Sequence, residues 1–348
     1  MKITVKILTG AAVIAVLSWY FISSPTHAQV TAKGNAERAP QSVAEFERLF
    51  EQVSNWGRWG KDDEIGTMNL VTNEKRKEAA ALVETGIAVS LAHTLVTEQA
   101  VDMPNEFGKS MGPFEMSGGG STFRYGFHST THSHVDAICQ FDYQGKLYNG
   151  FQISEVKGPN GCTKSGIEVN KVGFTTRGVL LDIPRLKGVP YLEPGTPVYP
   201  EDLEAWEEQT GVKVQPGDAI FLRTGRWVRR AEVGPWNLIP ADPIPGEAGY
   251  HISTVPWMRQ RDVAIVAADI SNDVRPSGVP QEVRARVRGM PVHSLTIVAM
   301  GAYIIDAVDL EELAKTAVEL NRWEFMVTGA PTAAKGGTGS LLNLTAIF

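Results

Sequence analysis

The chain has only two cysteines in 348 residues, Cys139 and Cys162. Two thiols cannot make a disulfide scaffold or a four-cysteine zinc site. Basic blocks are also missing, with 33 Lys and Arg against 39 Asp and Glu and a formal net charge of −6. That balance, with a pI near 5.7, argues against a nucleic-acid partner. There is no GxGxxG, no P-loop and no internal repeat, so nothing signals a nucleotide site or a solenoid. With 43% hydrophobic and 21% charged residues, disorder, collagen and coiled coil are excluded. What remains is the expectation of an acidic, soluble, catalytic domain, long enough to bury a sizeable core.

The one long apolar run lies at the N-terminus. Lys2 and Lys6 precede Ile7 to Ile22, and Thr26-His27-Ala28 follows. A basic segment, an apolar segment and a small-x-small site predict a signal peptide over 1–28. An uncleaved anchor is the other reading, although the run is short of the about 20 residues a spanning helix needs. Residues 29–44 read as a polar linker and 45–348 as the domain, exported to the periplasm or beyond with no further membrane contact. An oxidising compartment allows Cys139 and Cys162 to pair; two buried thiols are the alternative.

Strand and helix patterns interleave, so an α/β or α+β fold is expected. Phe46–Val53 reads as a short helix, and Thr72 is a plausible N-cap for a helix running to about Glu84. Alternation over Ile87–Leu95 suggests a strand. Buried strands are expected at Gly178–Ile183, Asp218–Arg223 and Val263–Ala268, and helices at Pro200–Thr210 and Leu310–Asn321. Met290–Ile305 is strongly apolar, with His293 in a strand-like Pro-Val-His-Ser. Trp323–Thr328 and Leu342–Phe348 close the chain as strands. Residues 101–127, with six glycines and two prolines, read as a lid or a long surface loop.

Histidine is scarce, and its distribution is informative. Beyond His27, six histidines remain, and half of them fall in His128-Ser-Thr-Thr-His132-Ser-His134-Val-Asp136. Positions 128, 132, 134 and 136 share parity, so an extended segment points all four side chains to one face. Neighbours two apart are separated by about 6.7 Å along a strand, and a histidine nitrogen sits about 2.1 Å from zinc. His132 and His134, or His134 and Asp136, can therefore share an ion. His128 and Asp136 would be roughly 27 Å apart on a straight strand and meet only if Ser129-Thr130-Thr131 bends. Imidazole and carboxylate together suit zinc, manganese or iron(II) in a catalytic site; a histidine-rich strand facing water is the rival reading.

This segment resembles the signature of the cyclase family of metal-dependent hydrolases, which includes kynurenine formamidases and isatin hydrolase: His-x-Gly-Thr-His-x-Asp-Ala-Pro-x-His. Further stretches are similar to the longer members: Trp56 to Leu70, Gly145-Lys-Leu-Tyr-Asn-Gly150, Arg177-Gly-Val-Leu-Leu-Asp182, Gly217-Asp218, Arg223-Thr-Gly225, Pro291-Val-His293 and Gly336-Gly-Thr-Gly-Ser340 with Asn343. The resemblance implies a single α/β domain built on a mixed, β-barrel-like sheet flanked by helices, in a homodimer or homotetramer. It also implies Zn²⁺ or Mn²⁺ and hydrolysis of a C–N bond in a small amide, formamide or cyclic amide.

Two departures bear on the site. The alignment on Thr131-His132 is preferred because it keeps three ligands, His128, His132 and Asp136; it leaves His134 extra, as a further ligand or a base. Aligning on Asp136 makes His134 the second ligand and puts Thr130 where the first should be. The family's last motif histidine, an acid/base near the metal, falls on Gln140, which can orient a group but cannot carry a proton. His293 matches a histidine that binds a second zinc in formamidases, with Asp306 near the position of the partner glutamate; a hydrogen-bonded core histidine is the other reading. The candidates are thus His134, Gln140 and His293 for catalysis, and His128, His132, His134 and Asp136 for the metal. A non-catalytic, periplasmic metal- or ligand-binding relative is the rival function. His251 reads as pocket-lining or structural, His93 as a strand residue, and Trp56, Arg58 and Trp59 as packing or pocket wall.

Overall fold

The protein is described by a computed structural model covering residues 34–96, 98–104, 126–241 and 244–348. The signal segment and residues 105–125 of the expected lid lie outside the described residues. Asn35 is buried and donates its side-chain amide to the Pro276 carbonyl at 2.8 Å. Part of the expected linker is therefore packed against the body.

Among the described residues a nine-stranded sheet is the main framework. In chain order its strands are β1 (Ala88–Ser90), β2 (His134–Asp136), β3 (Thr176–Asp182), β4 (Ala219–Arg223), β5 (Ile265–Ala268), β6 (Tyr303–Asp306), β7 (Glu324–Thr328), β8 (Gly339–Leu341) and β9 (Thr345–Ile347). Their spatial order is β1-β9-β7-β3-β4-β5-β6-β2-β8. The four central strands, β3 to β6, run parallel. Every residue of β3, β5 and β6 is buried, as expected of parallel strands covered on both faces. Antiparallel strands flank this core on both sides. The sheet curls into a half-barrel within a single mixed α/β domain, which is the architecture that the family resemblance implies. No helix among the described residues is long and apolar enough to cross a membrane.

Local signals explain most elements. The Thr72 side chain accepts from the Lys75 N–H and opens the helix Asn73–Ala81; Pro200–Thr210 begins on proline and ends at Gly211 with φ +73°. The Ile87–Leu95 alternation yields only the short edge strand β1. The apolar run from Met290 differs most. Pro291–His293 is a helical turn that continues as a π-helical segment over Ser294–Met300, and only then does β6 begin. His293 is therefore helical rather than strand-borne. A short apolar run does not distinguish buried helix from buried strand, and here the first turn is held by Asp273, whose carboxylate accepts from the Val292 and His293 N–H groups.

Cys139 and Cys162 form a disulfide with Cα atoms 6.5 Å apart. It ties the loop after β2 to a small hairpin whose Cys162 N–H is itself bonded to Gly336. Closing a loop of this size contributes about 3 kcal/mol in the chain-entropy account. The Cys139→Ser/Cys162→Ser double variant should unfold several degrees lower by calorimetry, and an unchanged Tm would show that the bond adds nothing.

His251 is buried and structural. Its Nε2–H donates to the Asn35 carbonyl (3.0 Å) while Nδ1 accepts from the Ser253 N–H (3.1 Å). Burial lowers its pKa to about 4. The folded state thus binds the proton less readily than the unfolded chain. Its contribution is complete above about pH 6.5 and is lost as pH falls toward 4, at most about 3 kcal/mol. A His251→Gln variant should lose the part of the acid-induced fall in Tm between pH 6.5 and 4 that this group causes; superimposable profiles would refute the assignment.

Candidate metal centre

β2 is only three residues long, yet it sets the geometry. Alternation puts His134 and Asp136 on one face, and antiparallel pairing places Asp306 of β6 directly opposite His134. Before β2 the chain bends through 128–132, which carries His128 back to Asp136. His128 Nδ1 lies 2.8 Å from Asp136 Oδ1, and its Nε2 lies 3.0 Å from the Thr338 hydroxyl. The bend also ends the shared parity. His132 is buried, but among the described residues it is in neither of the two groups whose ligand atoms lie within 4.8 Å of one another: His128 with His134 and Asp136, and Asp136 with His293 and Asp306.

What His132 supplies is its carbonyl. His134 Nδ1 donates to that oxygen at 2.9 Å, which fixes the ring and turns Nε2 toward the carboxylates. Nε2 then sits 3.6 Å from Asp136 Oδ1 and 3.9 Å from Asp306 Oδ2. These separations are too long for hydrogen bonds. They suit donors around one ion, since ligands about 2.1 Å from a tetrahedral metal are roughly 3.4 Å apart. A metal-binding histidine whose second nitrogen is held by a carbonyl is the usual supporting arrangement. The donor set of imidazole nitrogens and carboxylate oxygens therefore fits a divalent ion.

Behind these groups lies a polar layer contributed by the loop after β5. Asn272 gives Asp306 Oδ1 its side-chain amide (2.7 Å) and its backbone N–H (3.2 Å). His293 is clamped between Asp273 Oδ2 (2.5 Å, on Nδ1) and Asp306 Oδ2 (3.2 Å, on Nε2). Burial works against its charge, but the Asp306 and Asp273 carboxylates hold its pKa up to about 10. Burial likewise pushes Asp306 up, and the imidazolium more than offsets this, holding it below the usual carboxylate range. Gln140 and Phe141 join His128, His134, Asp136 and His293 around a cavity of about 360 Å³.

A buried guanidinium supports the bend. Arg226 Nη1 donates to the Thr130 carbonyl, and its Nη2 donates to the Asp102 carbonyl at 3.3 Å. Reading the sequence does not single out Asn272, Asp273 or Arg226. The first two do carry a signal, Ser271-Asn272-Asp273 directly after a buried strand, because ligands gather at the C-terminal ends of parallel strands. Arg226 carries none. The Trp56–Leu70 motif is packing: the Trp56 indole donates to the Val298 carbonyl, Arg58 pairs with Asp262, and Asp63 accepts from Tyr148 and Asn69. His93 lies against Asp309 and the Trp227 ring.

Comparison with known proteins agrees with this architecture. The cyclase family model, described as "Putative cyclase", matches residues 68–273. The crystal structure of a novel cyclase is 31% identical, covers 85% of this chain and 100% of its own, and superposes with a TM-score of 0.68. Isatin hydrolase A from Labrenzia aggregata, bound to benzyl benzoate, is 18% identical over 77% of this chain and 94% of its own, with a TM-score of 0.51. Isatin hydrolase A from Ralstonia solanacearum is 18% identical over 75% and 91%, with a TM-score of 0.50; at this identity both show a shared fold. No curated protein sequence matches the chain. With more than half of its length matched by the family model and a 31% identical structure over most of the rest, the chain belongs to the cyclase family.

Proposed function

We propose that the protein is an exported metal-dependent hydrolase that cleaves the C–N bond of a small amide, formamide or cyclic amide. The observation that carries this reading is His134, whose Nε2 is turned by the His132 carbonyl toward Asp136 and Asp306 at non-bonding distances. His128, His134 and Asp136 would hold the ion, with Asp306 closing the set. A bound Zn²⁺ or Mn²⁺ supplies Lewis acidity at a carbonyl and makes water nucleophilic near neutral pH.

The chain's own groups do the rest. Gln140 can hold a carbonyl or a water in place but cannot relay a proton. His293 lines the cavity with Nδ1 held by Asp273 and Nε2 facing Asp306. It is the titratable ring that would pass a proton to a departing nitrogen, with Asp273 fixing its orientation. Export is supported by the N-terminal segment and by the Cys139–Cys162 bond, which belongs to an oxidising compartment.

The test is hydrolysis of formamides and cyclic amides by protein reconstituted with Zn²⁺ or Mn²⁺. Turnover should stop with a chelator and return with the ion. Stoichiometric metal without turnover of any such substrate would favour the non-catalytic reading that Gln140 raises.

A further inference from the structure

The cavity lined by the ion-binding groups is also lined by Arg275 and by the apolar Phe141, Ile239 and Met290; Asp273 and Asp306 are near enough to act on the guanidinium charge. Arg275 is held firmly. Its backbone pairs with Glu247 in both the N–H to carbonyl bond (3.0 Å) and an isolated bridge, and its Nε donates to Glu247 Oε2 at 2.8 Å. Glu247 is fully buried and also accepts from the Ser271 hydroxyl. These contacts use one nitrogen of the guanidinium. Nη1 and Nη2 make no hydrogen bond among the described residues, and the side chain, 17% exposed overall, is part of the cavity lining. A guanidinium fixed at Nε presents its two remaining nitrogens as a fork matched to a carboxylate.

Resting on the hydrolase reading, we infer that the substrate carries, apart from its scissile C–N bond, a carboxylate that does not react, and that Arg275 receives it end-on through Nη1 and Nη2. The apolar wall would cover the body joining the two groups, which suits an aryl amide bearing a carboxylate. Asp136 and Asp306 put negative charge in the same cavity, and a divalent ion held there would offset it. Arg275 is thus a specificity determinant rather than a participant in bond cleavage.

Binding tests this without turnover. The probes are 2-, 3- and 4-carbamoylbenzoate and the corresponding benzenedicarboxamides, which match them in shape and lack the charge. Each is titrated calorimetrically into Zn²⁺-loaded protein. At least one carbamoylbenzoate should bind about 10–100-fold more tightly than its diamide, the range for a charged hydrogen-bonded pair. Because Arg275→Met alone would strand the buried Glu247 carboxylate, the variant is Arg275→Met/Glu247→Gln, with Glu247→Gln as control and circular dichroism to establish folding. The preference should persist in the control and vanish in the double variant. No preference in the native protein overturns the inference, as does a preference that survives in the folded double variant, since the carboxylate then sits on the ion or the histidines. If the preference depends on Arg275 but no amide is hydrolysed, the proposed function fails and the anion site stands.

Discussion

Asp136→Asn is expected to leave the protein folded and unable to retain a divalent ion. Asp136 is the one residue common to both ligand groups, and its Oδ1 is faced by His128 at 2.8 Å and His134 at 3.6 Å. An asparagine keeps the volume and one acceptor oxygen but removes the charge that makes the cluster attractive to a cation. Losing a partner that only supports a ligand costs about 10–100-fold in metal affinity, and losing a ligand shared by both groups should cost more. Elemental analysis after dialysis should find near-stoichiometric metal in the native protein and almost none in the variant, with hydrolysis lost in parallel. Full occupancy in the folded variant would remove Asp136 from the site and the present metal assignment with it.

Arg226→Met should be the most damaging single change outside the site. The guanidinium is buried, stacks 4.3 Å from the Trp227 ring and donates to the carbonyls of Thr130 and Asp102. Its pKa is lowered to about 10 by burial, so it remains charged at neutral pH. Methionine fills much of the volume but strands two carbonyls, at about 1–3 kcal/mol each. The expected loss is roughly 2–5 kcal/mol, read in chemical denaturation. Released from Arg226, the 128–132 bend should also let His128 swing from Asp136, so metal affinity should fall even where the variant is fully folded. A folded variant with native affinity for Zn²⁺ would show that the bend holds itself.

Arg226 marks where reading the sequence runs out. The scarcity of histidine and the spacing of 128, 132, 134 and 136 indicate a metal site without any knowledge of the fold, because ligand chemistry restricts residue types. The buried strands β3 to β5 are equally visible, since continuous Val, Leu and Ile runs between turn residues have few other uses. Less legible is Met290–Ile305, where a strongly apolar run carries no clear period and the outcome depends on Asp273, about twenty residues earlier, capping the turn that bears His293.

The choice among the three clustered histidines is also tertiary. Parity treats 128, 132 and 134 alike, whereas a bend pinned from position 226 brings His128 to Asp136 and gives His132 a backbone role. Asp306 joins them through strand register alone. Residue types and local patterns by themselves pointed to a metal site and to the buried strands of the sheet, and motif resemblance supplied the hydrolase reading. The membership of the site, its supporting layer of Asn272, Asp273 and Arg226, and the open fork of Arg275 were decided only on folding, because each depends on contacts between segments that local sequence does not encode.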